Sequence, residues 1–508
     1  MNGVLHDGRL PGGDGGLVDV TIVDGVVAGI HPSGSAPTTS GSPDAPGTVD
    51  LDGRWVIPGL WDNHVHFSQW AAVSRRLDVS AGTSAAHTAA LVAAAVAVPV
   101  AAADAGGVRG EMLVGYGFRD GLWADEPSAR LLDEAAGERP VVLVSGDLHC
   151  CWLNTAALAQ VGLAGHPSGV LREEEAFAVH RALDDVPDET LDAWALEAAR
   201  AAAARGVVGI VDLEMAWNHG TWSRRLAAGH DLLRVEFGVY PQHLERAIAE
   251  GLSTGLPVGA DEAGALVHVG PLKAITDGSL NTRTAYCFDP YPGLEGHDDA
   301  YGLLTLPPSE LLPLLSRGVA AGFTPAVHAI GDHANRLALD VFEALGCGGS
   351  LEHAQLVSES DLARFAANGV VASVQPEHAM DDRDVADRFW HGRTGRSFAL
   401  ASLLAAGARL ALGSDAPVAP LDPWVTMSAA VGRTRDGRAP WHPEQCIPAE
   451  AALAASTRPR GLDHRIRVGD VADLVVTGLN PLASAPDELR TMPVALTLLA
   501  GRPTHSAL

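Results

Sequence analysis

His64-Val65-His66 places two imidazoles at positions i and i+2. On a strand, both rings point to one face, which is how two protein donors reach one metal ion. Such a pair alone is a weak signal, since many are exposed or lie in a core. Four later segments end in further donors: Lys273 in "GPLKAI", His328 in "AVHAIGD", His353 in "LEHAQL" and Asp415 in "LGSDAPV". Any one of these residues is ordinarily a hydrogen-bonded core or surface group. Their recurrence at the ends of apolar runs points instead to one shared rim that could hold a metal.

Lys273 is the sole lysine among 35 Lys and Arg residues. Genome composition explains why lysine is scarce, but not why the survivor sits at the end of a strand. An amine loses its proton when buried, whereas a guanidinium does not. A neutral lysine can take up CO2 or form a Schiff base with a carbonyl substrate.

Eight apolar, β-branched runs could position these residues, from "RWVIPGLWDNHVHF" and "VVGIVDLE" to "GVVASVQPEH" and "ARLALGSDAPV". Helical segments such as "ETLDAWALEAARAAAARG" and "ESDLARFAANG" lie between them. This pattern predicts an α/β fold with a buried parallel sheet, a (β/α)8 TIM barrel whose chemistry lies at the C-terminal ends of its strands. The barrel is expected over residues 58–461. Short β segments at both ends, with a hairpin turn at Asp24-Gly25, predict a small β-sandwich domain composed of residues 1–57 and 462–508. "SGSAPTTSGSPDAPG" reads as a low-complexity loop. Residues 68–187, after the first barrel strand, are too many for a loop and predict an insertion that forms a lid over the barrel mouth. Within it, "AALVAAAVAVPVAAADAGG" falls short of a membrane span and reads as helix on a core.

Taken together, the motifs resemble the amidohydrolase superfamily, and most closely its third family, which includes N-substituted formamide deformylases. "PGLWDNHVHF", "KAITDGSLNTRTA", "VHAIGDHANRLALDVFE", "LEHAQL", "VVASVQPEHAMDD" and "ARLALGSDAPV" carry the resemblance, with "DLHCCWLNTAAL" in the insertion and "VADLVVTGLNPL" near the end. The resemblance implies a binuclear centre of two divalent ions, with zinc as the default. His64, His66 and Asp415 would hold the first ion, and His328 and His353 the second. Lys273, carboxylated by CO2, would bridge them. Asp415 would act as general base and acid toward a bridging hydroxide, and Lys273 counts with it as catalytic. The implied activity is hydrolysis of a C–N amide-type bond in a small molecule. A mononuclear deaminase or cyclic-amide hydrolase on the same fold is the alternative.

Six further residues are candidates for substrate contact: Arg283, His149, Trp152, Asn154, Gln375 and His378. Arg283 could hold a substrate carboxylate or form a structural ion pair. Trp152 and Asn154 could line the pocket or pack the insertion. Asp332 and His333 follow His328 and read as supporting or helix-capping residues. Asn281-Thr282 replaces the family's Gly-Ser after Ser-Leu, a departure that could alter substrate preference.

The bulk numbers narrow the class. The chain has 508 residues, 47% hydrophobic and 19% charged, with a formal charge of −27. An acidic chain without a basic run is a poor partner for nucleic acid or an anionic membrane. Five cysteines without CxxC spacing, and no apolar stretch behind a basic N-terminus, lead to the expectation of a cytoplasmic protein. Oligomeric state is left open, with a homo-oligomer compatible.

Overall fold

A computed structural model of the chain describes residues 2–13, 15–35, 47–97, 112–120, 123–146, 150–172, 174–184, 186–259, 266–458 and 464–508. By internal contacts the chain divides into Met1–Phe67 with Ala199–Leu508, and Ser68–Ala198.

In the first unit, eight parallel strands form one sheet in chain order. They are β1 (Leu60–Val65), β2 (Val207–Asp212), β3 (Arg234–Val239), β4 (Val267–Ile275), β5 (Pro325–Ala329), β6 (Gly349–His353), β7 (Val370–Val374) and β8 (Leu410–Leu412). The eight apolar runs are thus the eight strands, and helices such as Pro241–Ala249, Asp332–Leu345 and Leu400–Ala405 separate them. Strands buried on both faces read as continuous apolar runs, which is why they are legible. One run was not a single strand. "RWVIPGLWDNHVHF" splits at Gly59, and Trp55–Pro58 pairs antiparallel with Leu474–Thr477 rather than continuing β1.

The sheet curls until β1 meets the segment after β8. The Asp415 N–H donates to the His64 carbonyl at 2.7 Å, and the His66 N–H to the Ala416 carbonyl at 2.8 Å. Gly413 allows this seam, because a Cβ there would lie 2.7 Å from the His64 nitrogen. The eight-strand α/β barrel is therefore nearly closed.

Two four-stranded sheets come from the chain ends. Gly3–Gly8, Val18–Val23, Val26–Pro32 and Thr48–Asp50 form one; Trp55–Pro58, Leu474–Thr477, Val494–Leu499 and Arg502–Ser506 form the other. Leu5, Val20, Ile22, Val56, Leu474 and Leu498 belong to one buried apolar cluster that draws on both sheets. The turn at Asp24-Gly25 has φ of 50° and 77°, the left-handed pair that a tight hairpin requires. The low-complexity loop falls largely on residues 36–46, outside the described residues.

The unit Ser68–Ala198 has its own five-stranded sheet, in the order Val170–Arg172, Cys150–Leu153, Val141–Ser145, Leu113–Phe118 and Leu77–Asp78. The first part of the Ala/Val-rich run is the helix Ala85–Val96, capped by Ser84 and packed through Ala85, Thr88, Ala89 and Val92. The remainder of that run, residues 98–107, lies outside the described residues. Among the described residues, no helix is long and apolar enough to cross a membrane.

Candidate metal centre

Strand periodicity places the donors. In β1, Asp62 and His64 lie two residues apart on one face, and His66 follows just beyond the strand. In the parallel register Lys273 pairs with Ala326, His328 with Glu352, and Glu352 with Ser373. These residues therefore share the inner face. Asp415 reaches the same space from three residues beyond β8.

His353 should face away, because it directly follows Glu352 on the strand. It does not. Its φ of 72° and that of Ala354, 41°, put both in the left-handed region. Such a conformation costs a non-glycine residue about 1–3 kcal/mol. The twist turns the His353 ring inward beside Glu352, with its centroid 5.0 Å from that of His64 and 4.4 Å from that of His328.

Two donor groups result. In the first, Asp415 Oδ1 lies 3.4 Å from His64 Nε2 and 3.4 Å from His66 Nε2. In the second, His353 and His378 gather around the same carboxylate, with His378 Nε2 3.8 Å from Asp415 Oδ2. His328 stands outside both groups. Its Nε2 lies 3.5 Å from Asp277 Oδ1, a carboxylate that also accepts the backbone N–H groups of Tyr286, Ile330 and Gly331. His328, implied with His353 for the second ion, has its ring centroid 4.4 Å from that of His353, while His378, expected to touch substrate, is the histidine grouped with His353 and Asp415.

Most of these side chains are buried, His66 and His328 only partly, and several buried polar atoms are left without a hydrogen bond: Lys273 Nζ, His328 Nε2, His353 Nδ1 and His378 Nε2. A buried polar atom without a partner is costly, and a bound ion is one way to satisfy it. Neutral imidazoles and a carboxylate are also the donor chemistry of a zinc or similar divalent site. The residues present fit such a centre.

The electrostatics agree. Burial pulls the Lys273 amine below its ordinary value, against the opposing charges of Glu352 and Asp415. Burial, with the nearby Lys273, lowers His64, and it lowers His328 to about 3. His353 is held well below its usual range, first by burial and then by His328. For Asp415, burial acts upward, but the surrounding imidazoles outweigh it and hold the carboxyl well below the carboxylate range. His66 is lowered by burial, yet its hydrogen bond with Asp415 and that residue's charge bring it above normal.

Glu352 was not anticipated from sequence. Its Oε2 lies 2.7 Å from His64 Nδ1, across the barrel, and its Oε1 accepts the Ser350 hydroxyl at 2.5 Å. Burial acts upward on this carboxyl, but the His64 hydrogen bond and Lys273 overcome it and hold it at about 2. The only signal was its position beside His353, where alternation assigned it to the other face.

The other candidates fare differently. Gln375 is buried, with its Nε2 3.4 Å from His64 Nδ1. Arg283 packs its guanidinium over Phe389, 5.5 Å from the ring centroid. Phe389 ends the helix His378–Phe389, about 16 Å along the axis from His378. Asn281, in the departure from the family pattern, donates to Asp382 at 3.1 Å. His333 stacks between Tyr286 and Phe288, and Asp332 opens a helix and accepts the Phe288 N–H. Trp152 and Asn154 are buried within the Ser68–Ala198 unit. The Trp152 indole donates to the Ser128 carbonyl, and Asn154 bonds to Val141, Ala157 and Arg139. His149 lies outside the described residues.

A cleft of about 880 Å³ opens at the other ends of the strands, lined by residues such as Pro325, Gly349 and Arg234. It is remote from the donors, and its Arg234 and Arg458 are paired with Asp473 and Glu236.

Comparison with known proteins places this geometry in context. Residues 47–505 match the profile described as "Amidohydrolase family". The chain is 28% identical to Protein LONG AFTER FAR-RED 3 of Arabidopsis thaliana, covering 85% of this chain and 79% of that protein. It is 26% identical to the N-substituted formamide deformylase of Arthrobacter pascens, covering 91% and 90%. The fold is shared with a crystal structure of an uncharacterized metal-dependent hydrolase from Pyrococcus horikoshii OT3. The TM-score is 0.76, at 22% identity over 95% of this chain and 99% of that one.

Proposed function

The chain belongs to the amidohydrolase family, and from that premise we propose that it hydrolyses a C–N, amide-type bond in a small molecule at a binuclear metal centre. The observation that carries the reading is the convergence of His64 and His66 from the end of β1, His353 from the end of β6, and His378 and Asp415 from the segments after β7 and β8, beside the buried amine of Lys273. His64, His66 and Asp415 would hold one divalent ion, with zinc the default. His353, with His328 and a carboxylated Lys273, would hold the other. Bound there, the ions supply Lewis-acid polarisation of the substrate carbonyl and a lowered pKa for water.

The chain's own residues do the rest. Burial keeps the Lys273 amine able to lose its proton, the form that reacts with CO2. Asp415 Oδ1 lies toward His64 and His66, leaving Oδ2, near His378, to take up the proton of the attacking water. The same carboxyl then returns the proton to the leaving nitrogen. The residue 58–461 barrel carries this chemistry, with the terminal sheets read as a composite β-sandwich and the insertion as an accessory domain.

One observation favours a second reading. His328 Nε2 lies near Asp277 and outside both donor groups. A single ion held by His64, His66 and Asp415, with Lys273 unmodified, would suit a deaminase or cyclic-amide hydrolase. Metal stoichiometry combined with native mass decides between them. Two ions and one acid-labile CO2 per chain support the binuclear reading; one ion and an unmodified Lys273 overturn it.

A further inference from the structure

His64 has two ring nitrogens, and only one can face a metal. Its Nε2 lies by Asp415 and its Nδ1 by Glu352. Two groups compete for Nδ1. Glu352 Oε2, an acceptor, is 2.7 Å away, whereas Gln375 Nε2, a donor, is 3.4 Å away. The two contacts demand opposite tautomers. An acceptor keeps the proton on Nδ1 and leaves the Nε2 lone pair free. A donor needs the lone pair on Nδ1 and moves the proton to Nε2, where it would face Asp415 and block a metal.

We propose that Glu352 is a positioning residue that keeps the His64 proton on Nδ1, excludes Gln375 from that nitrogen and so makes Nε2 the ligating atom. The carboxylate is held for this task. Ser350, two residues earlier on the same face of β6, donates to Oε1 and fixes the rotamer. Glu352 and His64 are 4% and 1% exposed, so water does not compete. Because His353 turns inward through its left-handed backbone, one strand end supplies both a candidate ligand and the group that orients a ligand on the far side of the barrel. The inference rests on the metal-dependent reading above and extends it to a residue that contacts no substrate.

The test uses the full-length, metal-free protein labelled with 15N-histidine, with His64 assigned by the signal lost in His64→Gln. Zn²⁺ affinity is measured in parallel by chelator competition. Wild type should show the Nδ1–H tautomer. Glu352→Leu should shift His64 to the Nε2–H tautomer and weaken Zn²⁺ binding about 10–100-fold. Adding Gln375→Glu to that variant returns an acceptor to Nδ1 and should recover both the tautomer and most of the affinity. Ser350→Ala, which retains the carboxylate, should weaken binding several-fold and serves if Glu352→Leu fails to fold. Wild-type affinity and an unchanged tautomer in Glu352→Leu, or in Ser350→Ala if only that variant folds, would overturn the inference. Wild-type protein that binds no Zn²⁺ would sink the metal reading, while the tautomer measurement would still judge Glu352.

Discussion

Asp415 is joined to His64 twice. Its backbone N–H donates to the His64 carbonyl at 2.7 Å, and its Oδ1 lies 3.4 Å from the His64 Nε2. The first contact closes the barrel; the second builds a donor group. Asp415→Asn keeps the backbone contact and removes the charge. It should fold with unchanged circular dichroism, bind Zn²⁺ at least about tenfold more weakly and lose about 10²–10⁴-fold in turnover. Wild-type turnover in the variant would remove Asp415 as the proton carrier.

Lys273 should trade stability for function. Its Nζ is buried without a hydrogen bond, which in the metal-free protein is a cost. Lys273→Met should therefore raise the metal-free unfolding free energy by about 1–3 kcal/mol while abolishing activity. Lys273→Arg should be inactive too, since a guanidinium cannot lose its proton to become a carbamate. Thermal unfolding with and without Zn²⁺, alongside activity, checks both. A fully active Arg variant would end the carbamate account.

The second ion's ligands can be separated by deletion. His328→Ala should reduce bound metal from two ions to one, and His378→Ala should leave two and raise KM. Elemental analysis of each variant gives the answer. The reverse outcome would assign the second site to the observed group of His353, His378 and Asp415.

In the insertion, Trp152→Phe removes one hydrogen bond to the Ser128 carbonyl and part of a fully buried indole. It should cost about 1–3 kcal/mol and leave kcat/KM unchanged. Asn154→Ala strips three hydrogen bonds from a buried position and should cost more, lowering the melting temperature by several degrees. A large KM effect without loss of stability would return these residues to the substrate pocket.

The barrel was legible because strands buried on both faces leave unbroken apolar runs, and because donors gather where those runs end. His64, His66, Lys273, His353 and Asp415 could all be read in this way. Glu352 could not. Alternation assigns it the face opposite His353, and only the left-handed backbone at His353 brings both inward. A histidine in that conformation carries no mark in the sequence, unlike a glycine. Arg283 is harder to read: position after a strand end does not fix where a long side chain goes, and this one lies over Phe389. The break at Gly59 was hidden because both halves of the run are apolar.

The two terminal sheets have a consequence for synthesis. Leu5, Val20, Ile22 and Val56 emerge from the ribosome early, whereas their apolar partners Leu474, Val476 and Leu498 come after the whole barrel has been translated. Throughout that interval the early strands carry an uncovered greasy face. A nascent chain of this protein should therefore depend on a chaperone until its last strands arrive, and one halted near residue 460 should be a target for proteolysis even with all eight barrel strands made.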